Sequence, residues 1–159
     1  MDQISLAKWL KAILIGIALC GIVFYAVVVP ITANETVASW PEFENRRLPW
    51  LLLVWITGVP CFAALFLGWR IVSRIRNDRS FTVENARDLK WISRLAAGDA
   101  AAVLAGNLLL AFLGMSHPGV LLLSFVVTFI GIALAVVAAA LSCLVGKAAG
   151  LQEQSDLTI

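Results

Sequence analysis

Charged residues divide the chain into long apolar runs separated by short polar connections. The first run without a charged residue extends from Ala12 to Asn34, and the second extends from Leu48 to Trp69. About 20 consecutive apolar residues form a helix long enough to cross the ~30 Å hydrocarbon core of a bilayer. The pattern therefore predicts two membrane helices in the first half of the chain, spanning roughly residues 11–31 and 48–70.

The second half of the chain contains one uncharged run, from Ala100 to Gly146. As a single helix it would measure about 70 Å, because each residue adds 1.5 Å, and one crossing needs about half of that. The run should therefore fold back once, at the turn-forming segment Ser116–Gly119. We predict a third span over roughly 95–115, a fourth over 119–146 and a polar tail over 147–159.

Composition supports a membrane protein. The 159 residues are 61% hydrophobic and 14% charged, and the mean hydropathy is +0.93, whereas soluble domains are about 25% charged. The run after Lys11 exceeds the 7–15 apolar residues of a signal peptide, so we expect it to be a retained helix. The expected fold is one all-α domain, residues 1–159, forming an integral membrane bundle of four transmembrane helices.

Lysine and arginine are distributed unevenly around these spans. Ten of the twelve belong to the N-terminal segment, the connection between spans two and three, and the tail, whereas Arg46 and Arg47 belong to the other side. Basic residues are enriched in the cytoplasmic loops of membrane proteins. Both termini and the middle connection are therefore expected on the cytoplasmic side.

The middle connection carries the pattern of an amphipathic helix over roughly 82–94. Thr82 is a favourable cap, and apolar residues recur every three positions at Ala86, Leu89, Ile92 and Leu95. We expect an interfacial helix before the third span, whose bases meet anionic lipid headgroups at the inner face. Whether it is only that, or also a docking surface for a cytoplasmic partner, stays open. Interleaved acids argue against direct nucleic-acid binding.

The segment from Arg79 to Ile92 resembles the central signature of a bacterial family of four-helix membrane proteins, the domain of unknown function 2975. Arg79 departs from the glycine often found there, whereas the fit rests on Phe81, Thr82, Glu84, Asn85, Leu89, Lys90 and Ile92. The ending Leu157–Ile159 is also similar. The resemblance implies a multi-pass protein of the bacterial inner membrane without an established activity. It also implies a cytoplasmic regulatory partner, because such genes often neighbour a small helix-turn-helix regulator.

Polar residues inside the spans are few. Asp99 is the single acid within a span, and such residues are functional candidates. It is expected either to form a structural ion pair with Arg70 or Arg94, or to serve as a proton or cation site. Asn107 is expected to hydrogen-bond between helices or, alternatively, to continue a polar pathway from Asp99.

Small residues recur at every fourth position in both later spans. The two stripes consist of Gly98, Ala102 and Gly106 in span three, and Gly131, Ala135 and Ala139 in span four. Such stripes let helices approach closely. They are expected either to pack the two spans together or to form a homo-oligomer.

No catalytic motif occurs in the sequence, so an enzyme is not expected, and no cofactor is predicted. His117 is the single histidine and lacks the companions of a metal site. The sequence favours a regulatory or scaffold protein that acts by binding. The alternatives are a small oligomeric transporter or channel using Asp99 and Asn107, or a toxin-immunity membrane protein. The candidate partner surface comprises Glu84, Arg87, Asp88 and Lys90, with Asp156, Leu157 and Ile159 of the tail.

Overall fold

The computed structural model describes residues 3–41, 44–77 and 79–156, and the chain is all-α. The first long helix consists of α1 (Gln3–Val23), a π-helical turn (Phe24–Val28) and α2 (Val29–Ser39), which follow one another without a break. The others are α3 (Glu44–Ile75), α4 (Val83–Phe112) and α5 (Pro118–Asp156). All four long helices are apolar enough to cross a membrane. The predicted fold class and number of spans are thus confirmed at this level.

The helices pack in chain order, each against the next, and the contact between α4 and α5 is the most extensive. Large apolar side chains face outward: Val59 is 70% exposed and Phe129 is 73% exposed. The buried apolar residues are mostly alanines. This distribution suits a bilayer, where burying apolar side chains brings no gain and small residues allow close helix contact.

No separate interfacial helix precedes the third span, and that expectation is wrong. The Thr82 hydroxyl accepts a hydrogen bond from the Asn85 amide at 3.3 Å, and α4 then continues unbroken from Val83 to Phe112. Ala86, the first residue of the predicted apolar stripe, packs against Gly146 of α5. The segment is held by a neighbouring helix, so it forms the first turns of a long helix.

The tail is also more regular than predicted. Helix α5 runs through Asp156, so residues 147–156 extend the fourth long helix. Leu157 and Ile159 lie outside the described residues.

The contact between α4 and α5 is an antiparallel seam with a seven-residue repeat. The Ser142 hydroxyl donates to the Ala86 carbonyl at 2.6 Å, and the Ser93 hydroxyl donates to the Ala135 carbonyl at 2.7 Å. The Thr128 hydroxyl lies 3.5 Å from the Ala100 carbonyl. Each step of seven residues along α4 thus matches seven residues back along α5, which is the spacing of a coiled coil.

Of the two predicted small-residue stripes, the one on α5 lies partly in the seam, whereas the one on α4 does not. Gly131 faces Ala100, and Ala135 is buried in the seam, whereas Ala139 is exposed. On α4, Gly98 has nothing near it, and Gly106 faces Leu53 of α3. The seam uses the face of Ala86, Ser93 and Ala100 instead. Whether the chain also forms a homo-oligomer stays a prediction.

The π-helical turn is explained by Pro30 and by a tryptophan on the neighbouring helix. The Val29 amide donates to the Phe24 carbonyl, five residues back, and so leaves the Tyr25 carbonyl without its α-helical donor. Pro30, the next residue in line, has no N–H to offer. The indole N–H of Trp55 donates to this carbonyl at 3.2 Å and joins the first long helix to α3.

The seam gives a direct prediction for two glycines. A side chain at Gly131 would place its Cβ 2.9 Å from the Ala100 Cβ, so Gly131→Leu should lower the stability by roughly 2 kcal/mol or more. Gly98→Leu should be tolerated, because nothing lies within 4 Å of that position. The thermal midpoints of the two variants in detergent micelles test this, and equal midpoints would contradict the seam.

Candidate functional site

A buried polar network joins the end of α3 to the start of α4. The Arg74 guanidinium donates to the Asp88 carboxylate at 2.7 Å and to the Asn85 side-chain carbonyl at 3.0 Å. Arg70 lies farther away, with its Nε 3.6 Å from the same carboxylate, and its side chain is 46% exposed against 6% for Asp88. Arg74 is therefore the main partner of the Asp88 carboxylate.

Asn85 holds the connection between the two helices. It is 1% exposed, and its side-chain amide donates to the carbonyls of Arg79 and Ser80, both at 2.9 Å. Asn85 and Asp88 are three residues apart in α4, so the helix turns both toward the same side. The Thr82 hydroxyl caps the helix beside them. The central part of the signature segment is thereby explained as a cap and an arginine-binding pair that fix where α4 begins.

The predicted partner surface is therefore only partly exposed. Asp88 was expected on the exposed polar flank, and this is wrong, since its carboxylate is buried beneath Arg74. Glu84, Arg87 and Lys90 are exposed on the first turns of α4. Their role in binding stays a prediction.

Asp99 does not pair with either of the arginines proposed for it. Arg70 is directed at Asp88, and the Arg94 guanidinium lies over the Trp91 ring at 5.3 Å. The Asp99 partner is the thiol of Cys61 on α3, which donates to Oδ2 at 3.6 Å. The other carboxylate oxygen is buried without a hydrogen-bond partner among the described residues. The structural ion pair expected from the sequence is therefore not formed.

Asn107 lies on a different side of α4 from Asp99. It follows Ala100 by seven residues, so the helical repeat directs it toward the side of α4 that faces α5, whereas Asp99 faces Cys61 of α3. Its amide donates to the Val103 carbonyl of the same helix at 3.0 Å, and its side-chain oxygen is buried without a partner in the described part of the chain. The expected bond between helices is absent there, and the two polar residues form no common site.

A cavity of about 580 Å³ lies at the distal end of the molecule, by which we mean the end with the α4–α5 turn. Sequence reasoning treated its parts separately, as the connection with Arg46 and Arg47 and as the turn-forming segment Ser116–Gly119. Residues of α2 and its C-terminal end, of α3 and of the α4–α5 turn converge there, including Thr36, Trp40, Arg47, Trp50 and His117. Among the described residues, no group of three or more His, Cys, Asp or Glu side chains could hold a metal ion.

These features define a multi-pass helical membrane protein with a buried polar network at one end and a cavity at the other. The chain belongs to the family described as Protein of unknown function (DUF2975), whose model matches residues 31–159. It is also 25% identical over 149 residues to the uncharacterized membrane protein YoaS of Bacillus subtilis (strain 168), with 92% of each chain covered. No solved structure matches the chain.

The polar network leads to a stability prediction. Asp88→Asn should lower the free energy of unfolding by about 2–3 kcal/mol, because the largely buried Arg74 loses its counter-charge. Arg70→Gln should change it by less than about 1 kcal/mol, since that pair is longer and half exposed. Denaturant unfolding in mixed micelles measures both values. A loss for Arg70→Gln as large as that for Asp88→Asn would refute the assignment of Arg74 as the main partner.

Proposed function

We propose that the protein acts by binding, as a membrane-embedded regulatory or scaffold protein with its recognition surface at the α3–α4 connection. The observation that carries the proposal is the buried Arg74–Asp88–Asn85 network. It fixes the start of α4 by pairing the inward-facing charges of Arg74 and Asp88. The outward-facing charges of α4 are not needed for this and are available for binding. A surface held rigid before binding loses little entropy when a partner docks.

The exposed residues at this end carry charges of both signs. Glu84, Arg87 and Lys90 are exposed on α4. Mixed charges of this kind favour specific docking and fast association more than raw affinity. The proposed partner is a soluble protein with a complementary mixed-charge surface.

The end of α5 adds a second element to this surface. Gly146 faces Ala86, close to the start of α4, and α5 continues for ten residues beyond it, through Asp156. Ten helical residues extend about 15 Å. Leu151 is 67% exposed on this extension and could supply an apolar anchor. Ala149 on the same extension is buried, so the partner would contact the exposed side that carries Leu151.

The family resemblance suggests the class of partner, a small helix-turn-helix regulator, which the membrane protein would hold at the bilayer. With the basic bias of the loops, this end of the molecule faces the cytoplasm, where such a regulator resides.

Charge reversal on α4 tests this proposal. When the chain is co-expressed with a small helix-turn-helix regulator of the proposed class and purified in mild detergent, Arg87→Glu should reduce the co-purified regulator at least fivefold. Removal of Asp156–Ile159 should also reduce it, because the proposed surface includes the end of α5.

Arg76→Glu is the matched control, since it reverses one exposed arginine on the same predicted side but outside α4. It should retain the regulator at the level of the unchanged chain. The proposal is rejected if the Arg87→Glu chain and the chain without Asp156–Ile159 recover as much regulator as the unchanged chain. It is also rejected if the unchanged chain recovers no regulator.

Transport is the second candidate, and one observation favours it: Asp99 and Asn107 each have a buried oxygen without a partner in the described part of the chain. Their positions on different sides of α4 weaken the case, because no continuous polar path links them. We therefore expect proteoliposomes with the protein to show no more proton flux than empty liposomes. Flux that Asp99→Asn abolishes would instead establish transport. No described feature favours toxin immunity.

A further inference from the structure

The distal cavity has the lining of an anion-binding site at the membrane surface. Its walls come from three parts of the chain: the α2 segment with Thr32, Thr36 and Trp40, the start of α3 with Arg47 and Trp50, and the α4–α5 turn with His117. Arg46 lines it as well. Among the described residues no acid lines the cavity, and Glu35 and Glu44, which are close to these segments in sequence, are exposed.

The lining supplies hydrogen-bond donors. Arg47 has a guanidinium group, and Trp40 and Trp50 each have an indole N–H. The His117 Nδ1 accepts a hydrogen bond from the Gly119 amide of the same turn at 3.1 Å. The neutral ring therefore carries its proton on Nε2, which can donate to a ligand. The Thr36 hydroxyl is already used as a donor, to the Thr32 carbonyl at 2.7 Å. A ligand that matches this lining brings acceptor oxygens and negative charge.

Most of the rest of the wall is apolar. Ala33, Val37, Met115 and Val120 lie beside the two tryptophans, and the polar Ser116 also lines the cavity. Tryptophans are enriched at the headgroup level of a bilayer, where one side of the ring is apolar and the other is wet. The cavity volume of about 580 Å³ falls within the range of sites that enclose small ligands. The cavity therefore fits a ligand with a charged head and an apolar body.

We propose that the distal cavity binds the phosphate head of an amphiphile, with Arg47 as the principal anion ligand. The planar guanidinium can donate two parallel hydrogen bonds to a phosphate. The source that the apolar wall favours is an anionic phospholipid, which enters from the bilayer. Under the predicted orientation this lipid belongs to the leaflet opposite the cytoplasm. The proposal does not depend on the cytoplasmic partner.

Binding to the full chain in neutral detergent micelles tests the proposal, with tryptophan fluorescence as the readout. The probes are dihexanoyl-phosphatidylglycerol, the zwitterionic dihexanoyl-phosphatidylcholine, and inorganic phosphate. Phosphatidylglycerol should bind at least tenfold more tightly than phosphatidylcholine. Arg47→Gln should weaken phosphatidylglycerol binding about tenfold or more, and Arg47→Lys, which keeps the charge without the fork, should weaken it less.

Arg76→Gln is the control, because it removes an exposed arginine at the opposite end and should leave binding unchanged. The melting midpoint of each variant shows whether it is folded. Inorganic phosphate that binds as tightly as phosphatidylglycerol, and with the same dependence on Arg47, would support the anion site and make the free anion its ligand. Equal binding of both lipids, no binding of any probe, or equal losses in Arg47→Gln and Arg76→Gln would overturn the proposal.

Discussion

Hydroxyl groups of Ser93, Thr128 and Ser142 reach across the contact between α4 and α5 to backbone carbonyls of the opposite helix. They do so at intervals of seven residues, and small residues between them let the two backbones approach. In lipid there is no hydrophobic driving force for helix association, so close contact and hydrogen bonding must hold the two helices together. The seam sets the register of α5 against α4, and with it the positions of both ends of the molecule.

The Arg74–Asp88–Asn85 network extends this order to α3. Burying a carboxylate costs free energy unless it is paired. Asp88 is paired with Arg74, which also bonds Asn85, and Asn85 binds the carbonyls of the connection. The two constraints are connected. The seam fixes which residues of α4 face α5, and the network fixes where α4 begins. Both constraints position the exposed charges of α4 and the end of α5.

The sequence predicted the features that depend on local chemistry. The four apolar runs gave four long helices, and Thr82 caps α4 as its side chain and position suggest. Features that depend on a distant partner were missed. Gly98 and Ala100 are both small, and only the contact with Gly131 shows which one belongs to the seam. Asp88 is one of several charges along its segment, and Arg74, on another helix, decides that it is the buried one.

Dependence on residues distant in the sequence also explains why the candidate sites were not fully predicted. Asp99 was recognised as unusual from its apolar surroundings, but its partner, Cys61, lies 38 residues away and could not be chosen from spacing. The distal cavity combines residues from three separated segments, each of which has an ordinary explanation alone. A single sequence carries no signal that brings such segments together.

Disulfide cross-linking between α4 and α5 measures the seam most directly. In a chain whose Cys20, Cys61 and Cys143 are replaced by alanine, cysteines at Ser93 and Ala135 should cross-link readily on mild oxidation in the membrane, because the Ser93 hydroxyl lies 2.7 Å from the Ala135 carbonyl. Cysteines at Trp91 and Ala135 should not, since Trp91 lies at nearly the same height but is half exposed on another side of α4. Efficient cross-linking of the Trp91 pair, with none for the Ser93 pair, would contradict the seam and the structure built on it.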